Sequence, residues 1–368
     1  MGNTTRWMVL ALAIGGSGCG GEATPQATAD GAPAESLIFI GGYYASALPL
    51  VPQGMNDAGS IAGTTASGAP ALYSGGTLTT LGTNPADGCL RYNQLRPTST
   101  NGVIGVCDTS GGSHPIFWFF LSWAPAHMPL VVNNTAVTTA SVAGGTTGYS
   151  LVGTAAGGYF TGGAAYRWSG PGATSAVSIQ PVAIGNRFNY AYASSATGSN
   201  ESGYAVGTVY TNGGPYPVVW NPSNGYAVLQ SLGAYQYYAT RPTAVSSAGL
   251  VVGQSGTSAS TGWYAMMWNT SGTLVNYVPI SNLAAVDAVS ANGRLVGRVY
   301  GSAGYRAWTW YQGSLTYLDP PSGFTSLYPV GVNGCGQIAM QGYTTSGTFG
   351  GLLYSKLTCD SSGVVLAQ

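Results

Sequence analysis

The sequence predicts an all-β fold, a seven-bladed β-propeller of four-stranded antiparallel blades, and three observations support this prediction. A short turn motif recurs seven times, at intervals of 43 to 54 residues, which is close to the repeat length of propeller blades. An apolar segment that ends in an aromatic residue follows each copy. The chain is also rich in glycine (58 residues) and tyrosine (25), residues that suit tight turns and the filling of space between sheets.

The repeated motif reads Asn/Ser-x-x-Gly-x-apolar-apolar-Gly. Its clear copies end at Gly63, Gly207, Gly253 and Gly297, and its looser copies end at Val106, Gly153 and Met340. An Asn or Ser side chain can bond the backbone two residues on, and glycine accepts the positive φ of a tight hairpin. The motif therefore predicts the turn between the first and second strands of each blade.

An aromatic residue follows each copy by 10 to 15 residues. One such residue per repeat is expected to lie in the core, between neighbouring sheets. These residues are Tyr73, Trp118, Trp168, Trp220, Trp268, Trp310 and Tyr354. A fourth strand follows in most copies, for example at residues 77–81, 226–232, 273–278 and 314–318.

Two segments are candidates for closing the ring of blades. Residues 37–50 can add an outer strand to the last blade, which would join the first part of the chain to the last. Residues 363–367 can instead complete that blade from its own end of the chain. The sequence favours neither.

The first 36 residues are predicted to lie outside the folded domain. Residues 1–18 have a basic start at Arg6 and a short apolar run, which indicates a secretory signal peptide. Residues 19–36 are small and polar and are predicted to form a flexible tether. Residues 37–368 are then a single propeller domain.

The end of the signal peptide resembles the lipobox of bacterial lipoproteins, because Cys19 directly follows the small residues Gly16, Ser17 and Gly18. The resemblance implies that Cys19 is lipidated and anchors an exported protein to the outer membrane or cell surface. Gly16 departs from the leucine that is usual in that family. Ordinary signal cleavage near residues 27–29, which would give a secreted protein, is the alternative.

The other four cysteines form two pairs that are close in sequence, as expected for disulfides in an oxidising compartment. Proximity favours bonds between Cys89 and Cys107 and between Cys335 and Cys359. A metal site is the weaker alternative, because there is no C-x-x-C and the two histidines show no ligand spacing with the cysteines. No metal or other cofactor is predicted.

The repeats resemble those of the bacterial extracellular HAF family, whose units carry Ile-Asn-x-x-Gly-x-Val-Val-Gly followed by His-Ala-Phe-Leu-Trp. The resemblance covers residues 50–355. The first half is well kept at residues 54–63, and the second half is kept mainly at residues 264–268, 306–310 and 114–117. It implies a propeller fold and an extracellular location rather than a particular chemistry.

Strand order predicts which end of the ring carries a ligand site. If the motif turns join strands one and two, the loops between blades emerge at the opposite end, and these longer loops are the usual carriers of function. They combine aromatic rings with Arg, Asn and Gln, a mixture that can stack on sugar rings and bond their hydroxyls. The candidate ligand residues are Arg91, Tyr92, Arg187, Phe188, Tyr190, Tyr235, Tyr237, Tyr238, Arg241 and Tyr328. The alternative is that the tyrosines pack between blades.

Composition argues against several functions. Charged residues make up 5% of the chain, against about 25% in typical soluble proteins, so clustered cations for nucleic acid are missing. There is no P-loop and no G-x-S-x-G elbow, and we predict no catalytic residue. Asp87 and Asp108 flank one predicted disulfide and could form a carboxylate pair, and Asp287 could face the central channel, although a solvated charge is the simpler interpretation of each.

The sequence thus favours an exported, non-catalytic, monomeric binding module that recognises a glycan or polysaccharide. The alternatives are a protein-interaction scaffold, which would bind another protein of the cell envelope, and, less favoured, a polysaccharide hydrolase or lyase.

Overall fold

The computed structural model describes residues 38–40, 42–99, 102–119, 124–145, 150–170, 173–181, 184, 190–232, 240–256, 263–280, 283–301 and 304–356. These residues form seven antiparallel sheets that repeat the same connectivity along the chain. The predicted seven-bladed β-propeller is therefore confirmed. Residues 1–37, which contain Cys19, lie outside the described residues.

The strands run outward from the axis in chain order in six blades, and the seventh takes its two outer strands from the N-terminal segment. The N-terminal strands are β1 (Ile38–Ile40) and β2 (Tyr43–Leu48). Blade 1 contains β3 (Val51–Met55), β4 (Ile61–Thr64), β5 (Pro70–Ser74) and β6 (Thr77–Thr80), and blade 2 contains β7 (Arg91–Pro97), β8 (Val103–Thr109), β9 (Gly112–Trp118) and β10 (Pro125–His127). A hairpin of β11 (Val131–Val132) and β12 (Thr135–Ala136) precedes blade 3, which contains β13 (Thr139–Gly145), β14 (Leu151–Gly157), β15 (Phe160–Trp168) and β16 (Val177–Ser178).

The second half of the ring follows the same pattern. Blade 4 contains β17 (Ala191–Ser199), β18 (Ala205–Thr211), β19 (Gly214–Trp220) and β20 (Tyr226–Val228), and blade 5 contains β21 (Thr240–Val245), β22 (Val251–Gly256), β23 (Trp263–Trp268) and β24 (Leu274–Pro279). Blade 6 contains β25 (Leu283–Val289), β26 (Leu295–Gly301), β27 (Gly304–Tyr311) and β28 (Ser314–Leu318). Blade 7 contains β29 (Phe324–Val332), β30 (Ile338–Thr344) and β31 (Phe349–Ser355), and it is completed by β2 and β1.

The ring is closed by the N-terminal segment, the first of the two alternatives. Strand β2 pairs antiparallel with β31, with Ala45 opposite Tyr354 and Ala47 opposite Leu352. Strand β1 pairs with the free edge of β2, so blade 7 has five strands. Residues 363–367, the other alternative, lie outside the described residues.

The motif turns join the first and second strands, as predicted. In blade 4 the Asn200 carbonyl accepts a hydrogen bond from the Gly203 amide at 3.1 Å, and Gly203 has a φ of +85°. The prediction of the side-chain bond was wrong in one detail, since the Asn200 side chain accepts from the amide of Tyr204, four residues on, rather than two. The bond spans the whole turn because the turn closes as a five-residue loop. The turn of blade 3 lies outside the described residues.

Among the described residues, the core consists of seven apolar clusters, and each cluster draws its residues from two neighbouring blades. Five of the predicted core aromatics are buried, namely Trp118, Trp168, Trp220, Trp268 and Tyr354. Tyr73 and Trp310 are only half-buried. In blade 6 the fully buried ring is Trp308, which packs on the backbone of Gly297. Burial between the blades therefore holds the ring together.

The two ends of the ring carry different connections. The turns between strands one and two and between strands three and four emerge at one end, which we call the motif end. The loops between blades and the turns between strands two and three emerge at the other, which we call the inter-blade end. This arrangement follows from strict antiparallel order, as the sequence predicted.

Candidate functional site

Exposed aromatic side chains are concentrated at the inter-blade end. Of the nine exposed aromatic residues in the described part of the chain, seven lie in the turns or strand termini of this end. They are Tyr159, Tyr190, Tyr192, Tyr210, Tyr300, Tyr343 and Phe349. Such a one-sided distribution is typical of a binding surface rather than of scattered exposure.

Five rings form a continuous strip across blades 6 and 7, which we call the aromatic strip: Tyr300, Tyr305, Tyr328, Phe349 and Tyr343. The successive ring centroids are 5.5, 5.6, 5.8 and 5.2 Å apart. The contacts are edge-on or tilted, an arrangement that aromatic pairs favour. The strip thus offers a row of apolar ring surfaces at the end of the ring where the longer loops lie.

The strand register explains how the strip forms. Tyr300 and Tyr305 are directly opposite each other on β26 and β27, and Tyr343 and Phe349 are opposite each other on β30 and β31. Such cross-strand pairs bring side chains together on one face of a sheet. Tyr328, on the innermost strand of blade 7, contacts a ring from each pair and joins the two blades.

A partly buried ion pair lies beside the strip, on the side of the central channel. The Arg298 guanidinium donates two hydrogen bonds to the Asp287 carboxylate, at 2.9 and 3.0 Å. The same guanidinium lies 5.8 Å from the ring centre of Tyr305 and 5.5 Å from that of Tyr328. Burial raises the pKa of Asp287 to about 6 in spite of the charge and hydrogen bonds of Arg298.

A cavity of about 360 Å³ adjoins the strip between blades 6 and 7. It is lined by Tyr305 from the strip and by Arg306 and Asp319, whose side chains form an ion pair at 2.6 Å. Both charged side chains are partly exposed, at 42% and 59%. The cavity therefore places hydrogen-bond donors and acceptors next to a row of rings, with no net charge from this pair.

A second group of polar residues surrounds the disulfide of blade 2. Asp108 accepts hydrogen bonds from Arg91, Asn93 and Ser113 at 2.6 to 2.7 Å. Partial burial acts to raise the pKa of Asp108, but these hydrogen bonds and the charge of Arg91 outweigh it and lower the pKa. Asp87 lies 2.8 Å from the His127 imidazole. Each carboxylate thus has its own partners, and the interpretation of Asp87 and Asp108 as a carboxylate pair gains no support.

The two histidines lie near each other in this region. Burial, and then the charge of His127, lower the pKa of His114. The described residues contain no group of three or more His, Cys, Asp or Glu side chains with the geometry to hold a metal ion.

The predicted ligand residues are spread around the inter-blade end. Arg91 and Tyr92 line a cavity of about 360 Å³ between blades 1 and 2. Tyr190 is exposed at the start of blade 4, and Arg241 lies over the Trp263 ring in blade 5. Tyr328 lies in the aromatic strip. The other five candidates, Arg187, Phe188, Tyr235, Tyr237 and Tyr238, lie outside the described residues.

Most of the aromatic strip was missed by the sequence analysis, which considered only the loops between blades. Tyr300 and Tyr305 flank the turn between strands two and three of blade 6, and Tyr343 and Phe349 flank the equivalent turn of blade 7. These turns emerge at the same end as the inter-blade loops. Paired aromatic residues around successive turns of this type were the signal available in the sequence.

One predicted disulfide is present between Cys89 and Cys107, whose Cα atoms are 5.3 Å apart. Cys335 is also disulfide-bonded, while its predicted partner Cys359 lies outside the described residues. Disulfides indicate an oxidising compartment, as expected for an exported protein. Within the described part of the chain there is no helix long and apolar enough to span a bilayer.

Comparisons with known proteins place the chain in a class defined by fold. No family model matches the chain, and no curated protein matches it. Among solved structures, it is similar to virginiamycin B lyase from Staphylococcus aureus, with 12% identity, a TM-score of 0.52, and coverage of 84% of this chain and 99% of the lyase. It is also similar to the β-propeller domain of the Trilobed protease from Pyrococcus furiosus, with 9% identity, a TM-score of 0.53, and coverage of 87% and 99%.

These identities show the β-propeller fold alone. Propellers with this architecture occur both in enzymes and in binding modules. The function of this chain must therefore be argued from its own side chains.

Proposed function

We propose that this protein is an exported binding module that recognises a neutral glycan through the aromatic strip of blades 6 and 7. The observation that carries the proposal is the continuous row of five rings beside a cavity that is lined by the ion pair of Arg306 and Asp319. The apolar face of a sugar ring can stack on aromatic side chains while its hydroxyls bond polar groups at the edge.

The charges near the strip favour a neutral ligand. Arg298 is paired with Asp287, and Arg306 is paired with Asp319. Neither cation is left to attract an acidic sugar, and neither carboxylate is left to attract a cation. Binding should therefore be insensitive to salt.

We propose binding without catalysis because the carboxylates of the inter-blade end, and Asp287 beside the strip, are already engaged. Asp87, Asp108, Asp287 and Asp319 each lie within ion-pair distance of a basic side chain. A glycosidase of the common type needs two carboxyl groups that flank one bond. No such pair faces the strip among the described residues.

The proposal includes the location of the protein outside the cell. A lipid on Cys19 would hold the propeller at the outer membrane or cell surface, and the tether of residues 19–36 would let the inter-blade end reach extracellular polymer. The mass of the mature N-terminal peptide checks this part, because ordinary cleavage near residues 27–29 would remove Cys19 altogether.

The test of the binding site is a glycan screen of the purified full chain, followed by titration of the best ligand against variants. Tyr300 and Phe349 are 65% and 49% exposed, so Tyr300→Ala combined with Phe349→Ala removes stacking surface at little cost in folding. We expect at least a tenfold loss of affinity with an unchanged melting temperature. The matched control is Tyr159→Ala, which removes a ring that is 90% exposed at the same end but on blade 3.

Three results would contradict the proposal. Retained affinity in the double variant would place the glycan elsewhere, and a negative screen with folded protein would favour an envelope protein as the partner. Release of reducing ends from a bound polysaccharide would show that the protein is an enzyme.

A further inference from the structure

A second cavity lies on the axis of the ring, toward the motif end, away from the aromatic strip. It has a volume of about 390 Å³ and is lined by the last residues of the innermost strands of all seven blades. Volumes of about 300 to 1,000 Å³ are usual for small-molecule sites. Three of the six carboxylates in the described part of the chain line it, namely Asp57, Glu201 and Asp287.

The blades differ at one position of this cavity. Near its end, each innermost strand has a bulge at which its pairing with the second strand of the blade shifts in register. The first residue that pairs again after the bulge is Gly or Ala in six blades. These residues are Gly54, Gly144, Gly198, Ala244, Ala288 and Gly331. In blade 2 the equivalent residue is Arg96, opposite Ile104.

The small residues have a structural cause that makes the arginine unusual. A side chain at Gly198 would place its Cβ 2.5 Å from the Thr243 carbonyl oxygen of the next blade. A side chain at Gly331 would place its Cβ 2.5 Å from the Met55 side chain. The convergence of seven strands at the axis thus favours the smallest residues, and blade 2 instead carries one of the largest.

Arg96 has no charged partner among the described residues. It takes part in none of the four ion pairs, and its Nε atom is buried without a hydrogen-bond partner. Burial lowers the pKa of Arg96. Arg96 is half-buried, and a guanidinium with a buried, unpaired nitrogen carries a desolvation cost, so its presence where other blades use glycine or alanine points to a ligand that pairs with it.

The other charges of the cavity indicate what the ligand carries. Asp287 is paired with Arg298, while Glu201 forms no ion pair within the described part of the chain. Asp57 accepts hydrogen bonds from the Ser247 hydroxyl at 2.8 Å and the Ala291 amide at 3.0 Å. These donors are neutral and belong to blades 5 and 6, so Asp57 reaches across the end of the channel and has no basic partner among the described residues. One cation and two anions therefore face the cavity uncompensated.

We infer that the axial cavity binds a small zwitterion, a free amino acid, with its carboxylate on Arg96 and its ammonium group toward Glu201 and Asp57. A basic amino acid neutralises the cavity, because its net positive charge offsets the net negative charge of Arg96, Glu201 and Asp57 together. This inference does not depend on glycan binding, because none of the three uncompensated groups belongs to the aromatic strip or lines the cavity beside it.

The test is calorimetric titration of the full chain with L-lysine, Nα-acetyl-L-lysine and L-lysinamide. The acetylated probe lacks the α-ammonium group and the amide lacks the carboxylate, so we expect each to bind at least tenfold more weakly than L-lysine. Absence of L-lysine binding, or equal binding of all three probes, would overturn the inference.

The variant Arg96→Ala restores the small residue of the other blades. We expect it to lose L-lysine binding at least tenfold while its melting temperature stays the same or rises. Unchanged affinity would contradict a role for Arg96 in binding, and a lowered melting temperature would show that Arg96 supports the fold instead.

Glu201→Gln provides a second variant that keeps the shape of the side chain. A tenfold loss of L-lysine affinity is expected. Unchanged affinity would show that Glu201 does not bind the ligand, independently of the result for Arg96→Ala. Arg306→Ala, at the inter-blade end, is the control and should bind L-lysine as the wild type does.

Discussion

At the scale of single residues, four of the six described carboxylates lie within ion-pair distance of a basic side chain. Asp287 is the clearest case, because it lies on the innermost strand of blade 6 and faces both the axial cavity and Arg298. The sequence offered the channel only as the less favoured position for Asp287, and the structure shows that Asp287 lines the axial cavity. Its partner Arg298 was not predicted, because the pairing depends on the register of β25 against β26.

Asp287 gives a prediction for the pH dependence of stability. Its pKa is raised from 3.8 to about 6 by burial, so the folded chain binds this proton more tightly than the unfolded chain does. This contribution stabilises the fold at low pH and is lost as the pH rises through about 6. We therefore expect the stability of Asp287→Asn relative to the wild type to increase by about 2 kcal/mol between pH 4.5 and 7.5.

Denaturant unfolding of both proteins at the two pH values measures this difference. Parallel stability profiles would show that Asp287 has the same proton affinity in the folded and unfolded chains.

At the scale of elements, the motif turn both closes a hairpin and connects two blades. The Asn200 side-chain oxygen accepts from the Tyr204 amide at 2.9 Å, and its amide group donates to the Ser246 carbonyl of the next blade at 2.7 Å. Asn56 makes the same two contacts, with Ser60 and with Thr98 of blade 2. The motif residue thus joins neighbouring blades near the axis, and a turn preference alone does not account for it.

The substitution Asn200→Ser separates these two roles. Serine keeps the turn bond, as Ser246 does with Leu250, but it is too short to reach the next blade. The Ser246 carbonyl then keeps only its bond from the Gly249 amide, and we expect the free energy of unfolding to fall by about 0.5 to 1.5 kcal/mol.

Urea unfolding measures the effect, with Asn221→Ser as the control. The Asn221 side chain accepts only local hydrogen bonds in an exposed turn, from the amides of Ser223 and Gly225. Its substitution leaves the backbone carbonyl that accepts from Arg167 in place and should change stability by less than about 0.5 kcal/mol. Equal effects of the two substitutions would show that the inter-blade bond contributes nothing.

At the scale of the whole molecule, the ring depends on the joining of its two ends. The last blade takes its fourth strand, β2, from the start of the domain, and that strand covers the buried residues Leu352 and Tyr354. The contacts that close the ring therefore join residues about 300 positions apart in sequence. Such closure turns seven local blades into one cooperative unit.

A buried charge in β2 should open the ring. Ala45 is 5% exposed and Ala47, on the same strand, is exposed. We expect Ala45→Asp to lower the stability by about 3 kcal/mol or more, because an unpaired carboxylate would be buried against blade 7.

The matched substitution Ala47→Asp should leave the melting temperature nearly unchanged. Thermal melts followed by circular dichroism compare the two variants. Similar melting temperatures would show that β2 is dispensable for the stability of the ring.

The sequence by itself determined the repeat, the number of blades, the position of the motif turns and one disulfide. These features rest on local chemistry, namely turn residues, strand periodicity and cysteines that are near in sequence. Tertiary structure alone decided that β2 closes the ring, that Tyr328 joins two aromatic pairs into one strip, and that Arg96 stands where six other blades have glycine or alanine. Each of these depends on which residues oppose one another across sheets and blades, and that register is set by packing over the entire ring rather than by any local segment.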